Sequence, residues 1–367
     1  MKIAILTSSR ADYGIYLPLL ERLKVDAFFN LEIIAFGTHL SRSHGYTITE
    51  IEKENYSKIH RVASLISNDD EQAIATSYGL TALKFADFWK NNQYDLVFCL
   101  GDRFEMNAAV QAGIPFGIKF AHIHGGETTL GAIDNIYRHQ ITLASILHFT
   151  ATDVFKDKVS SLIESHENIY SVGSLSLDNL SSFTPLEKSV FCKNFDIPDR
   201  EFALVTFHPE TLEAGLNYSY ALTMRSALLK ILDSINIVIT MPNADTLGSI
   251  YRDEIIKLKK DVPDKVFLVE NFGKANYFSA MYYSKLLIGN TSSGILEAAS
   301  FGKYVVNVGD RQKGRVQSNN VINASFDVLS ICKAVSTISE NANFTGINVY
   351  CKKDVAENII KIVKEFL

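Results

Sequence analysis

The sequence predicts an α/β fold built as two doubly wound domains that face a central cleft. Two observations carry this reading. Short, near-continuous apolar runs of strand composition alternate with longer stretches of helical period, the mark of parallel sheets covered on both faces. That rhythm stops after IYSVGS and starts again at FALVTFHPE. With 367 residues, the chain also has the length of two ordinary domains.

The elements follow in order. MKIAILTSS has one lysine and then β-formers, too short for a signal-peptide core and without a small-residue cleavage pattern, so it reads as the first strand. LPLLERLK reads as a helix, LEIIAFG as a strand and EQAIATSYGLTALKFADFWK as a long helix. LVFCLGD and FGIKFAHIHGG are the next strands. The helix IDNIYRHQITLASILH and the strands ILHFTAT and IYSVGS close the first half. SSFTPLEKSV and DIPDR, rich in Ser, Pro and charge, place the join between Ser174 and Asp199. FALVTFHPE, INIVITMP, KVFLVENF, KLLIGNTSSG and YVVNVGD are the strands of the second half, and DVAENIIKIVKEFL is a final helix. The expected division is an N-terminal domain over 1–178, a second domain over 179–352, and a C-terminal helix over 353–367 that either ends the second domain or leans back on the first.

A hydrophobic fraction of 47% with 21% charged residues fits a well-packed enzyme. The net charge of −5 argues against a nucleic-acid surface, so an anionic ligand must be held by local groups. No apolar run approaches the roughly 20 residues that span a bilayer. Cys99, Cys192, Cys332 and Cys351 are far apart and form no CxxC pair, as expected of reduced thiols in a cytoplasmic protein.

Ligands of open parallel sheets sit beyond the carboxyl ends of the strands, and the polar motifs fall there. Ser8 to Arg10, Gly37 to His39, Gly101 with Asp102, and His122 to Glu127 follow strands of the first half; His208, Asn243 and Gly289 to Gly294 follow strands of the second. The densest stretch, Cys99 to His139, holds Asp102, Arg103, Glu105, His122, His124, Glu127, Asp134, Arg138 and His139. These residue types suit a metal, a phosphate or proton transfer. Strand alternation sends His122 and His124 to opposite faces, which argues against one shared metal. One of them then faces the cleft and the other the core, while the following glycines turn Glu127 inward. GNTSSGILEAAS sets hydroxyls and glycines at a helix start, a geometry that suits a diphosphate, although an ordinary Ser/Thr cap has the same look. SSRADYG lacks GxGxxG, and no GxxxxGK[ST] occurs, so NAD and a Walker-type phosphate site are disfavoured.

SSRADYG, GTHLS, GDRFE, HIHGGE, the ID and YRH pieces, FHPET, PNADT, GNTSSGILE and GDRQKGR occur in the order seen in hydrolysing UDP-N-acetylglucosamine 2-epimerases. The resemblance runs from Lys2 to Arg315. It implies two Rossmann-like domains in a GT-B-like arrangement, no cofactor and no metal, and a soluble homodimer or homotetramer. It implies the reaction of UDP-N-acetylglucosamine with water to give N-acetylmannosamine and UDP, through a 2-acetamidoglucal formed by anti elimination. A close subfamily acts instead on UDP-2,4-diacetamido-2,4,6-trideoxyglucose, and a GT-B glycosyltransferase or a non-catalytic sugar-nucleotide sensor would share the UDP site.

By the same motif matching, Asp102, Glu127, Asp134, His124 and His208 resemble the groups that move protons and position sugar and water. Arg10, Arg103, Ser292, Ser293 and Arg311 resemble a diphosphate clamp. Glu297 resembles a ribose partner, Asn243 a further nucleotide contact, and Phe272 a uracil neighbour. At His124 some relatives carry a glutamate, so the set is firmer than the individual roles.

Overall fold

The computed structural model describes residues 1–367 apart from 43–44, 67–69, 129, 131–132, 179, 181–182, 211–213, 243–247 and 340–342. The chain divides into two compact units: Met1–Glu127, Ile133–Asn179 and Tyr350–Leu367 form the first, and Thr128–Ala132 with Leu180–Val349 form the second. The second unit takes over the chain from Leu180. The short excursion of 128–132 into the second unit has no counterpart in the sequence reading.

The strands of the first unit are β1 (Lys2–Thr7), β2 (Asn30–Phe36), β3 (Lys58–Val62), β4 (Leu96–Leu100), β5 (Phe120–Ile123), β6 (Leu147–Thr150) and β7 (Ile169–Ser171). Among the described residues they form a parallel sheet in the order β3-β2-β1-β4-β5-β6-β7. Its helices are α1 (Arg10–Val25), α2 (Ile48–Lys53), α3 (Glu71–Asn91), α4 (Phe104–Gly113), α5 (Asp134–Ala144) and α6 (Asp153–Ile163).

Alternation along each strand explains the two cores. Ile3, Ile5, Ile33, Phe98 and Leu100 point to one face, against α1 and the C-terminal helix; Ala4, Leu6, Ile34, Phe36 and Val97 point to the other, against α3 and α4. Within LTALKFADFWK, Phe85 and Trp89 are core residues and Leu83 is exposed. Helix α1 begins at Arg10, well before LPLLERLK, because Ser9 and Asp12 form a capping box; Pro18 lies inside the helix. Helix α5 ends at Ala144, so the final ILH of its sequence run enters the turn and strand β6.

The second unit contains α7 (Lys188–Phe195), β8 (Phe202–Thr206), α8 (Asn217–Ile231), β9 (Asn236–Thr240), α9 (Gly248–Asp261), β10 (Val266–Val269), α10 (Lys274–Tyr283), β11 (Leu286–Gly289), α11 (Ser292–Leu296), β12 (Tyr304–Val308), β13 (Val321–Ala324) and α12 (Val328–Ser339). Its parallel sheet runs β10-β9-β8-β11-β12-β13. Ala203, Val205, Ile237 and Ile288 pack towards α8, α9 and α12, while Leu204, Val238 and Leu287 pack towards α7 and α10.

The final helix, α13 (Val355–Phe366), belongs to the first unit. Val355, Ala356, Ile359, Ile360 and Val363 form one apolar stripe that joins the core over α1, and Lys364 pairs with Asp26 at 2.6 Å. In both sheets the strand order reverses next to the first strand of the unit, between β1 and β4 and between β8 and β11. Crevices of that kind are where ligands bind in open α/β sheets.

Candidate active site

In the first unit, the turn after β4 carries Asp102 and that after β5 carries His124 to Glu127. His122, inside β5, is fully buried; its Nε2 donates to the carbonyl of Gly101 at 2.9 Å and its Nδ1 meets the Thr142 hydroxyl at 3.0 Å. Burial pushes its pKa down to about 3, so it is a neutral strut between the strand end and α5. His148 on the neighbouring strand is likewise held neutral by burial, with a pKa of about 4.

His124 lies one residue beyond β5 with φ +65°, a conformation in which a non-glycine residue needs outside support. Its N–H donates to the Phe149 carbonyl at 2.9 Å, and Arg138 Nη1 donates to its own carbonyl at 2.7 Å. The imidazole Nδ1 is 2.6 Å from Glu127 Oε1, and both residues are buried. In the tautomer with the proton on Nδ1, that nitrogen donates to Glu127 Oε1 and the lone pair lies on Nε2. Nε2 is buried and has no hydrogen-bond partner among the described residues. Gly126 makes the turn possible: at φ +77°, a Cβ there would lie 2.4 Å from the Phe155 carbonyl oxygen.

Arg138 is buried on α5 and also pairs through Nη2 with Asp102. One turn earlier on the same helix, Asp134 has a pKa pushed up to about 6, first by burial and then by the negative charge of Asp102, against the pull of Arg103 and Arg138. A carboxyl group with that value exchanges its proton near neutral pH. Arg103 is gripped by the buried Glu105, with Nη2 to Oε1 at 2.8 Å and Nε to Oε2 at 3.2 Å. Arg10 stands apart from this network; it is exposed, 3.7 Å from Glu50.

The turn that carries Arg10 is set by a residue the sequence reading passed over. Asp12 accepts bonds from the backbone N–H groups of Ser8, Ser9 and Tyr13 and from the hydroxyls of Ser8 and Thr7, all between 2.7 and 2.9 Å. The spacing S-x-x-D of SSRAD, a capping-box pattern, was the available signal. His39 extends the cluster, bonded to the hydroxyls of Thr7 and Thr47.

In the second unit, Gly289 ends β11 against β8. At φ +147°, a Cβ would sit 1.8 Å from the Thr206 carbonyl oxygen, so only glycine fits. The expected helix after GNTSSG is short: α11 ends at Leu296 and gives way to a 3-10 turn over Ala298–Phe301. Thr291 occupies its N-cap without a side-chain capping bond. Ser293 meets the hydroxyls of Tyr277 at 2.9 Å and Thr291 at 3.2 Å, Ser292 opens the helix, and Glu297 is buried at its C-cap.

His208 follows β8, where its backbone pairs with the Asn290 amide, and Arg311 Nη1 reaches the Asn290 carbonyl at 3.1 Å. Sequence reasoning missed Asn290 and Gln312, because nothing local marks an amide as a long-range tie. Phe272 belongs to the aromatic core: it is 4% exposed, and its ring lies 4.6 Å from that of Phe195 and 5.8 Å from that of Phe191. Asn243 lies outside the described residues.

The first unit therefore collects paired acids and a histidine, a set suited to proton transfer. The second collects hydroxyls, amides and an arginine, a set suited to an anion. Among the described residues no group of three or more His, Cys, Asp or Glu side chains has a metal-holding arrangement, and no helix is long and apolar enough to cross a membrane.

The polysialic acid biosynthesis protein P7 of Escherichia coli is 33% identical over all of this chain and 94% of its own length. The GDP/UDP-N,N'-diacetylbacillosamine 2-epimerase (hydrolyzing) of Campylobacter jejuni is 34% identical over 89% of this chain and 85% of its own. The crystal structure of UDP-GlcNAc 2-epimerase from Neisseria meningitidis bound to UDP-GlcNAc superposes with a TM-score of 0.81 and 16% identity, covering both chains fully. The model of the UDP-N-acetylglucosamine 2-epimerase family matches residues 21–364, and the chain belongs to that family.

Proposed function

We propose that this chain is a hydrolysing UDP-sugar 2-epimerase that converts UDP-N-acetylglucosamine and water into N-acetylmannosamine and UDP. The observation that carries the reading is the buried His124–Glu127 pair, its Nε2 unpartnered among the described residues, joined through Arg138 to Asp102. A neutral imidazole fixed by a carboxylate is a base, and the neighbouring Asp134 is a carboxyl poised near neutrality.

The chemistry needs both. In the first step the C1–O bond to the diphosphate breaks, the C2 proton goes to a base, and a C1–C2 double bond forms. No adjacent ketone acidifies that proton, so the leaving diphosphate must be stabilised as charge builds on it. Arg10, Arg103, Ser292, Ser293 and Arg311 are the groups we assign to that task, with Glu297 on the ribose, Asn243 on the nucleotide and His208 beside the sugar. Phe272 supports the uracil-side loop from within the core. In the second step water adds its oxygen to C1, a proton reaches C2 on the opposite face, and the product is released as the 2-epimer. Asp102, Glu127, His124 and Asp134 are the proton carriers; the reaction hydrolyses a glycosyl bond and uses no cofactor or metal.

The identity with the Campylobacter relative favours a second substrate, UDP-N,N'-diacetylbacillosamine, which is the 2,4-diacetamido-2,4,6-trideoxy sugar. An NMR assay with each UDP-sugar in deuterated water tests both. The expected result is free 2-epimer, UDP, and deuterium at C2. UDP-linked epimer would indicate a non-hydrolysing enzyme, and dependence on an added acceptor would indicate a glycosyltransferase. A cytoplasmic homo-oligomer fits the reading, and exposed Leu83, Ile114, Phe116 and Leu143 supply apolar surface for it.

A further inference from the structure

Asn290 follows the last residue of β11 and is fully buried. Its side-chain oxygen accepts the backbone N–H of His208 at 2.8 Å, and its side-chain nitrogen donates to the backbone carbonyl of His208 at 2.8 Å. That reciprocal pair is how two residues face each other in a β-ladder. Here a side chain supplies it, two residues beyond the end of β8.

The main chain of Asn290 is equally engaged. Its N–H donates to the Thr206 carbonyl at 3.1 Å. Its carbonyl accepts Arg311 Nη1 at 3.1 Å and Gln312 Nε2 at 2.9 Å. A carbonyl oxygen has two lone pairs, and both have a donor. One residue therefore ties the loop at 207–210, the turn at 289–294 and the loop at 309–315 to a single point at the switch of the second sheet. Loops otherwise sample several conformations, and a shift of about 1 Å in a reacting or binding group costs on the order of 100-fold in rate.

We propose that Asn290 is the positioning residue of the second unit, fixing the backbone of His208 and the guanidinium of Arg311 in one geometry. It acts through those two groups and need not touch substrate itself. The proposal rests on the reading that His208 and Arg311 meet the UDP-sugar. Its structural half, that three loops share one tie, stands independently. Aspartate in its place keeps the acceptor for the His208 N–H but sets a negative oxygen against the His208 carbonyl. Alanine removes both bonds.

The test uses the full chain with Asn290→Asp, Asn290→Ala and Gln312→Met. Three quantities are read: hydrogen exchange by mass spectrometry, calorimetric binding of UDP, and steady-state kinetics on UDP-N-acetylglucosamine. In the two Asn290 variants, exchange should rise about tenfold or more at all three loops together, with β8 and β11 unchanged. The Kd for UDP and the KM should each rise about tenfold, and kcat should fall as well. Gln312→Met, which removes one donor, should show the same pattern at a smaller size, and it decides the matter if the Asn290 variants do not fold. Exchange confined to 289–294, or a fall in kcat with KM and the Kd for UDP within twofold of wild type, would overturn the proposal, since lost stability alone lowers only the active fraction. If the wild-type chain binds UDP but turns over neither UDP-sugar, the functional reading fails, and the exchange pattern still judges Asn290.

Discussion

The strand ends of the two units solve different problems with different groups. In the first, ionisable side chains are held in pairs with at least one buried member: His124 with Glu127, Arg138 with Asp102, Arg103 with Glu105. In the second, amides, hydroxyls and main-chain carbonyls set the geometry, centred on Asn290 and Ser293. On the proposed function, the contrast separates groups assigned to proton transfer from groups assigned to holding a charge already present. A residue lost from the first should cost rate, and one lost from the second should cost affinity or order.

The sharpest way to break that contrast is to neutralise the acids. Asp102→Asn and Glu127→Gln should each lower kcat by about 100- to 10,000-fold while UDP binding by calorimetry stays near wild type. Wild-type-like turnover in both would remove the first unit from the chemistry. Next in size, Gly289→Ala forces a Cβ into the Thr206 carbonyl. It should destabilise the chain by about 3 kcal/mol or more in urea unfolding and abolish UDP binding with it.

Asp134 gives a test with a sign. Its folded pKa of about 6 lies above the ordinary 3.8, so the folded state binds the proton more tightly than the unfolded chain. Stability should therefore fall as pH rises from about 4 to about 6, and the loss persists above that. Asp134→Asn should be more stable than wild type at pH 7.5 by roughly 1–2 kcal/mol, with the gap closing near pH 4, while its turnover drops. The smallest effect is expected at Phe272→Leu. Stability should fall by about 1 kcal/mol with the Kd for UDP within twofold, as for a residue packed between Phe191 and Phe195.

Much of this was legible in the sequence where burial on both faces leaves continuous apolar runs. LVFCL and FALVT are fully buried as β4 and β8, and they were readable. β3 and β13 were not: KIHRV and VINA are sheet edges, half polar and mostly accessible, and resemble loop in composition. The same divide runs through the site. Asp102, His124 and Glu127 stood out because chemistry-bearing residues crowd within a few dozen positions. The His208–Asn290 pair spans 82 positions and the Asp102–Arg138 pair 36, and only the folded sheet brings such partners together. Phe272 shows the converse, since a loop aromatic carries no local sign of whether its ring faces ligand or core.

The return of α13 to the first unit has a consequence for how the molecule is made. Residues 180–349 are contiguous and hold nearly the whole second unit, whereas the first unit lacks part of its core until residues 350–367 arrive. Until α13 is made, the part of this core that packs on Val355, Ala356, Ile359, Ile360 and Val363 should remain uncovered. The second unit, contiguous over 180–349, should then be able to finish folding before the first, which waits for residues 350–367. A chain ending before Val355 should accordingly bind a hydrophobic dye and be cleaved by protease within 1–179, while 180–349 resists.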